Sequence, residues 1–302
     1  MKAVLVISFG TSFENTRKKN IDAIEADIAA AYPDCRVMRA FTSTIIMKKL
    51  AGQGLLIPDT AVAVEALLAE GVTGLVVQPT HLMHGFEYDK LCGMLEPYWD
   101  RFASVRVGHP LLDTTEDQQI VVDTLGGAFD LAPDEGLVLM GHGTEHFANA
   151  VYAALDYMFK DRGYPRVFVG TVEGYPELES VMKQLKSTGI KKLILAPLML
   201  VAGDHAVNDM ASDEENSWRT QLEAAGYGVR CVIKGLGEYE AIRALCPPCG
   251  RCHGGIGGCR IQAGVTSSSG PPSRAIPVSW PRLSTGTWAT GPTFCPYLRR
   301  TG

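Results

Sequence analysis

The sequence predicts an α/β protein made of two similar modules, each a parallel four-stranded sheet flanked by helices, with an active-site cleft between them. Three observations predict it. Eight short apolar, β-branched runs bounded by Gly or Pro alternate with stretches of helical periodicity. These runs are near-continuously apolar and most are followed by a helix, as in parallel sheets covered on both faces. The chain also resembles itself. Phe9-Gly10-Thr11 ends the first strand of one half, and His142-Gly143-Thr144 ends the first strand of the other, at an offset of 133. After the third strands, Gly85-Phe86-Glu87 and Gly203-Asp204-His205 match at an offset of 118.

Taken in order, strands are expected at 3–8, 36–41, 74–78 and 105–107, then at 136–140, 166–171, 192–196 and 229–233. Helices are expected at 16–31, 61–69, 88–99, 118–129, 147–160, 176–187 and 213–225, where apolar residues recur with a 3.6-residue period. The expected organisation is an N-terminal module over 1–130, a C-terminal module carrying a metal site over 131–245, and a low-complexity, disordered tail over 246–302. A chain of 302 residues has room for two such modules.

Composition narrows the function classes. Apolar residues at 46% and charged residues at 20% are those of a folded globular chain. A net charge of −5 leaves no basic footprint, so no nucleic-acid partner is expected. The longest strongly apolar stretch, 193–202, is about half of the roughly 20 residues that span a bilayer, so no membrane partner is expected either. The apolar run at 3–7 is too short for a signal-peptide core, and the expected location is cytoplasmic.

The composition shifts abruptly near 245. Residues 246–302 contain 6 Arg and no Lys, Asp or Glu, which leaves 22 of the 28 basic residues and all 33 acidic ones, a charge of −11, in 1–245. Cys246, Cys249, Cys252, Cys259 and Cys295 fall in this tail, leaving Cys35, Cys92 and Cys231 as reduced, packed thiols. Cys249-Gly-Arg-Cys252-His253 fits the covalent haem pattern, and Cys246, Cys249, Cys252 and Cys259 are a formal zinc set. Against both, the flanking Pro-Pro, Gly-Gly and Ser-Ser-Ser-Gly-Pro-Pro read as coil. The break also interrupts a helical pattern, as a shifted reading frame or a cloning artefact does.

In open parallel sheets, ligands bind beyond the carboxyl ends of the strands. Three polar residues of the second half stand there: His142 in Met-Gly-His-Gly-Thr, Glu173 in Val-Glu-Gly-Tyr-Pro, and His205 in Ala-Gly-Asp-His-Ala-Val-Asn-Asp-Met. If their strands are neighbours, the three side chains converge on one pocket. Two imidazoles and a carboxylate make a divalent-metal site with open positions, and the carboxylate doubles as a base. The competing reading of each residue alone is a surface or capping role.

These segments resemble a known family. Ser-Phe-Gly-Thr-Ser at 8–12, Arg-Ala-Phe-Thr-Ser at 39–43, Met-Gly-His-Gly at 140–143, Val-Glu-Gly-Tyr-Pro at 172–176 and the long Pro-Leu-Met-Leu-Val-Ala-Gly-Asp-His-Ala-Val-Asn-Asp-Met-Ala-Ser-Asp at 197–213 closely resemble the anaerobic sirohydrochlorin cobalt chelatases of the CbiK family. The likeness runs from residue 1 to about 245, through Gly-Leu-Gly-Glu at 235–238. It implies the class II chelatase-like fold shared with ferrochelatase, and insertion of Co2+ into sirohydrochlorin on the anaerobic route to cobalamin. It assigns the metal-binding and catalytic roles to His142, Glu173 and His205. The absence of any Gly-Lys pair removes the phosphate-cradling loop of an ATPase, so no ATP is expected. Fe2+, with much the same charge and size, stays open as the metal of a sirohydrochlorin ferrochelatase, as does a non-catalytic tetrapyrrole or metal carrier. The oligomeric state is likewise open, a homo-oligomer included.

A pigment rich in carboxylates needs donors at the cleft rim. The candidates are Ser8, Thr11 and Ser12 after the first strand and Thr42 and Ser43 after the second. For Thr11, Ser12 and Ser43 helix capping competes equally, and Arg39 equally suits a surface acid. His81 and His84 end the third strand as wall residues of the cleft or as ordinary loop histidines, with His84 also a candidate ligand of a haem or second metal at a subunit contact. Asp204 and Asp209 are placed to orient His205, and Asp213-Glu214-Glu215 reads as an acidic helix start.

A metal-binding imidazole must be neutral, so insertion is expected to fall below about pH 6, the range in which free histidine protonates. Initial rates from pH 5 to 8 check this; a flat profile contradicts the assignment of two histidine ligands.

Overall fold

The computed structural model describes residues 1–246. The first half runs β1 (Lys2–Ser8), α1 (Glu14–Arg17), α2 (Ala23–Ala31), β2 (Arg36–Phe41), α3 (Thr44–Gly52), α4 (Thr60–Ala69), β3 (Gly74–Pro79), α5 (Phe86–Leu95), β4 (Ser104–Val107) and α6 (Thr115–Gly127). The second runs β5 (Glu135–Gly141), α7 (Ala150–Asp161), β6 (Val167–Thr171), α8 (Leu178–Lys186), β7 (Lys192–Pro197), α9 (Trp218–Ala224), β8 (Gly228–Cys231) and α10 (Glu240–Arg243). Two four-stranded sheets result, ordered β2-β1-β3-β4 and β6-β5-β7-β8, with every pairing parallel.

Both faces of each sheet are covered, which is why the strands read as unbroken apolar runs. Val4 and Val6 of β1 pack with Leu137 and Leu139 of β5 in one core, together with Ile24 and Ile28 of α2, Val121 and Leu125 of α6 and Phe159 of α7. This core joins the two halves. The alternate residues Leu5 and Ile7 face α4 and α5, and Val138 and Met140 face α8 and α9. Each Val, Leu or Ile so buried contributes about 1.5–3 kcal/mol relative to an exposed one.

Helix starts are set by side-chain caps. Ser43, Asp59, Thr114 and Ser217 accept the N–H groups of Ile46, Val62, Asp117 and Thr220 at 3.4, 2.8, 3.1 and 3.2 Å. Ser217 accounts for one departure from expectation, since the helix expected from 213 begins at Trp218 and Asp213 instead pairs with Arg219. The helix expected at 16–31 is split by a π-helical turn, Lys18–Asp22, in which buried Asn20 donates to the Thr16 carbonyl at 2.8 Å. Helix α3 has no counterpart among the expected elements, because Ile45 is 75% exposed and blurs the apolar period. Strand β8 ends at Cys231 rather than 233, where its pairing with β7 stops.

Cys246, assigned from the sequence to the tail, is 4% exposed and packs in the shared core. The expected disorder of the tail and the Cys249, Cys252, Cys259, Cys295 and His253 readings lie outside the described residues. Cys35, Cys92 and Cys231 are half-buried and form no disulfide. Among the described residues no helix is long and apolar enough to cross a membrane.

Candidate active site

In each sheet the central strand has its two following strands on opposite sides, β2 and β3 about β1, and β6 and β7 about β5. Such a switch point opens a crevice at the carboxyl ends. Here the crevice is a cavity of about 1050 Å3 lined from both modules. His142, Glu173 and His205 follow the three neighbouring strands β5, β6 and β7 and line its wall.

Local packing places each of the three. Gly141 ends β5 against the ring of Tyr152, where a Cβ would sit 2.3 Å from the ring. Tyr152 is fully buried, which pushes its phenol up to about 12, and its oxygen accepts the Gly143 N–H at 3.4 Å. Gly143 has φ +85°, and a Cβ there would lie 2.6 Å from the Gly174 nitrogen and 2.8 Å from the Glu173 carbonyl carbon. Freed of those side chains, the loops after β5 and β6 join: Val172 N–H donates to the Gly141 carbonyl at 3.1 Å and Glu173 N–H to the His142 carbonyl at 2.8 Å. Asn149 ties the same loops, accepting from Thr144 N–H at 3.0 Å and donating to the Tyr175 carbonyl at 2.6 Å.

The imidazoles are oriented by acceptors. His142 Nδ1 lies 2.8 Å from the Gly143 carbonyl and His205 Nδ1 2.5 Å from Asp209 Oδ2. A carbonyl and a carboxylate only accept, so Nδ1 carries the proton in each ring and Nε2 keeps its lone pair for a metal. The rings stand at 89° with centroids 4.5 Å apart. One ligand atom from each of His142, Glu173 and His205 falls within 4.8 Å of the others. The side chains are 46%, 58% and 35% exposed, so a bound ion remains open to exchange.

The other expected residues divide. Ser8, Thr11, Ser12 and Ser43 line the cavity, although Ser8 is occupied by the Thr80 hydroxyl at 2.8 Å, Thr11 by Phe13 N–H at 3.3 Å, and Ser43 by its capping bond. Thr42 is buried behind the wall and donates to Glu87 Oε2 at 3.1 Å. Arg39 is held by Glu25 at 2.8 Å and by Asp22. Asp209 orients His205, whereas Asp204 lines the cavity. His81 is on the cavity wall, and burial depresses its imidazole to about 4. His84 instead pairs with Asp89 at 3.1 Å and borders a separate groove.

Sequence reasoning missed the apolar lining and one cation. Phe9, Phe13, Ile45 and Phe86 line the cavity although 49%, 38%, 75% and 58% exposed. Exposed apolar side chains gathered in a cavity mark a ligand with a large apolar body. Lys49 of α3 is the one Lys or Arg lining the cavity among the described residues.

A family model described as cobalt chelatase (CbiK) matches residues 2–246. The chain is similar to the sirohydrochlorin cobaltochelatase of Salmonella typhimurium, 42% identical over 81% of this chain and 93% of that protein. It is also similar to the sirohydrochlorin cobaltochelatase CbiKC of Nitratidesulfovibrio vulgaris, 32% identical over 79% of this chain and 86% of that one. Among solved structures, SirB from Bacillus subtilis with Fe3+ shares the fold at TM-score 0.58 and 16% identity, over 81% of this chain and 92% of SirB. The chelatase-like fold expected from the sequence is thus the fold observed.

Two outcomes follow from this packing. Gly143→Ala is expected to keep the fold while pushing the Glu173 loop off His142. Because about 1 Å of misplacement costs about 100-fold, metal affinity and turnover should fall by that order. Gly163→Ala, also at positive φ but with nothing within 4 Å, should leave both unchanged. Isothermal titration with Co2+ checks the pair. Separately, His81 is lowered from 6.5 to about 4, so below 6.5 the unfolded chain binds the extra proton first. Its neutral state is fully accommodated above pH 6.5, and about 3 kcal/mol of stability is lost as pH falls through 4. Denaturant melts of wild type and His81→Phe between pH 7 and 4 measure it, the variant lacking that part of the loss.

Proposed function

This chain belongs to the cobalt chelatase (CbiK) family, and from that premise we propose that it inserts Co2+ into sirohydrochlorin at the His142, Glu173 and His205 cluster without consuming ATP. The reaction is a step of anaerobic cobalamin biosynthesis, and the setting proposed for it is the cytoplasm. The observation that carries the reading is the convergence of three metal-ligating atoms within 4.8 Å on the wall of a cavity of about 1050 Å3. The aromatic residues Phe9, Phe13 and Phe86 give the same cavity an apolar surface for a flat macrocycle.

Insertion exchanges one Co2+ for the two protons on the macrocycle nitrogens. Nε2 of His142, Nε2 of His205 and the Glu173 carboxylate hold the arriving ion and replace part of its water shell. Three protein ligands leave coordination positions open, and the pyrrole nitrogens enter there. As each nitrogen takes over, a protein ligand is released; Glu173 then receives one pyrrole proton and a freed imidazole Nε2 of His142 or His205 the other, and both protons pass on to solvent. The exposure of His142 and Glu173 and the partial exposure of His205 suit an ion that arrives as substrate and leaves in the product. No nucleotide enters the scheme, in keeping with the missing Gly-Lys pair.

Anaerobic incubation of the protein with sirohydrochlorin and either Co2+ or Fe2+, followed by the pigment's absorbance, tests the reading. Co2+ insertion is expected to be the faster. His142→Ala should lose about 100-fold or more in rate, and Asp209→Ala, which releases His205 Nδ1, about 10- to 100-fold in metal affinity. Faster Fe2+ insertion would assign the enzyme to sirohaem synthesis, and pigment bound but never metallated would make it a carrier.

A further inference from the structure

Helix α3 is fixed from one side and open on another. Leu50 is buried against Ile21 and Phe41, and the Ile46 N–H donates to the Ser43 hydroxyl at 3.4 Å. Ile45, Ile46 and Lys49 line the cavity. Residues four apart on a helix lie one above the other, so Ile45 and Lys49 form one strip, apolar at one end and cationic at the other. Ile45 is 75% exposed, and Lys49 is exposed as well. Among the described residues Lys49 has no ion-pair or hydrogen-bond partner.

The charges around the cavity select what such a strip takes. The carboxylates of Glu87, Glu145, Glu173 and Asp204 line it, and Lys49 is the one Lys or Arg there among the described residues. An anion entering the cavity is therefore repelled by most of its wall and attracted at Lys49. Hydroxyls on the wall can hydrogen-bond a carboxylate but do not offset its charge, whereas an ammonium does both. A ligand complementary to the strip has an apolar body and an anionic edge. A flat tetrapyrrole with peripheral carboxylates, ionised at neutral pH, has that build.

We propose that Lys49 is a substrate-binding residue: its ammonium pairs with one peripheral carboxylate of the pigment while Ile45 lies against the ring. The inference rests on the tetrapyrrole reading above. It gives the edge of the ring to the first module and the metal to the second, and ties selection of a carboxylate-bearing ring to one side chain. Insertion changes the ring nitrogens and leaves the carboxylates alone, so the pair is the same before and after the chemical step. Lys49 therefore acts on KM and not on kcat. The rival role is local, since Lys49 lies in the last turn of α3, where a cation offsets the helix dipole. That role shows in Tm and not in pigment binding.

Sirohydrochlorin binding, read from pigment absorbance, and KM and kcat for Co2+ insertion test it in wild type, Lys49→Met, Lys49→Arg, Lys49→Glu and Lys48→Met. Lys48 is exposed but does not line the cavity, so Lys48→Met removes the same charge without the contact. At low salt Lys49→Met should weaken pigment binding and raise KM about three- to fivefold with kcat unchanged, the effect of one exposed ion pair. Lys49→Glu, which adds a repulsion, should lose about tenfold or more, and Lys49→Arg little. In about 1 M salt the gap between wild type and Lys49→Met should shrink. Lys48→Met should bind as wild type does. Pigment binding by Lys49→Met equal to that of wild type, whatever its Tm, overturns the inference. Equal weakening in Lys48→Met and Lys49→Met also overturns it, because a long-range field then replaces the contact. Both results leave the tetrapyrrole reading intact, as wild type still binds and metallates the pigment, whereas a wild type that binds no pigment rejects that reading and the inference together.

Discussion

The close approach of the two loops that follow β5 and β6 is the constraint on which the site depends. At Gly143 the backbone takes φ +85° with the Gly174 nitrogen and the Glu173 carbonyl carbon at distances that no Cβ tolerates. Two residues earlier, the Tyr152 ring fills the space a side chain on Gly141 would need. Two missing side chains therefore let the Glu173 N–H reach the His142 carbonyl, and that bond sets where imidazole and carboxylate begin. Tyr152 supports the turn from below, and with its phenol held at about 12 no charge develops beneath the proposed metal ligands at working pH. Only His205, the third proposed ligand, is placed independently, by Asp209 on the turn that follows β7.

The same topology occurs twice with different chemistry. The registers align Ser8 with Gly141, Phe41 with Thr171 and Pro79 with Pro197, so the positions of His142, Glu173 and His205 correspond to Phe9, Ser43 and Glu87 in the first module. Gly10, at φ +103°, corresponds to Gly143. The turn that exposes an imidazole in one module exposes a phenylalanine in the other. One architecture thus yields the proposed metal-ligating wall and a wall that bears a phenylalanine, a hydroxyl and a carboxylate, and both line one cavity.

Much of this was legible in the sequence, for identifiable reasons. The strands announced themselves because burial on both faces leaves no polar alternation, and His142, Glu173 and His205 because each interrupts an apolar run at a strand's carboxyl end. Helix α3 was not legible, since its apolar residues serve two masters: Leu50 packs inside while Ile45 and Ile46 face the cavity. Phe9 and Phe86 were hidden for the same reason, as an aromatic residue beside a strand reads as core. The start of α9 depended on whether Ser217 or the acidic run at 213–215 supplied the cap, and only the folded turn decides that. Thr42 reads as a rim hydroxyl but faces Glu87, because alternate residues leaving a strand point to opposite sides.

Electrostatics orders the substrate proposed here. Glu87, Glu145, Glu173 and Asp204 line the cavity against Lys49, the one Lys or Arg there among the described residues, and residues 1–245 carry −11. Such a cavity concentrates divalent cations. It also repels the carboxylates of the pigment, since two like charges about 4 Å apart near a protein surface cost about 4 kcal/mol. The proposed pose therefore keeps the polycarboxylate rim in water and lays the ring along Phe9, Phe13 and Phe86. In that pose the ring nitrogens, and no carboxylate, meet the proposed metal ligands. An ion held by three partly exposed groups in open coordination would gain more from four nitrogens than from the protein, which is the relation a chelatase needs: binding firm enough to collect the ion and too weak to retain it.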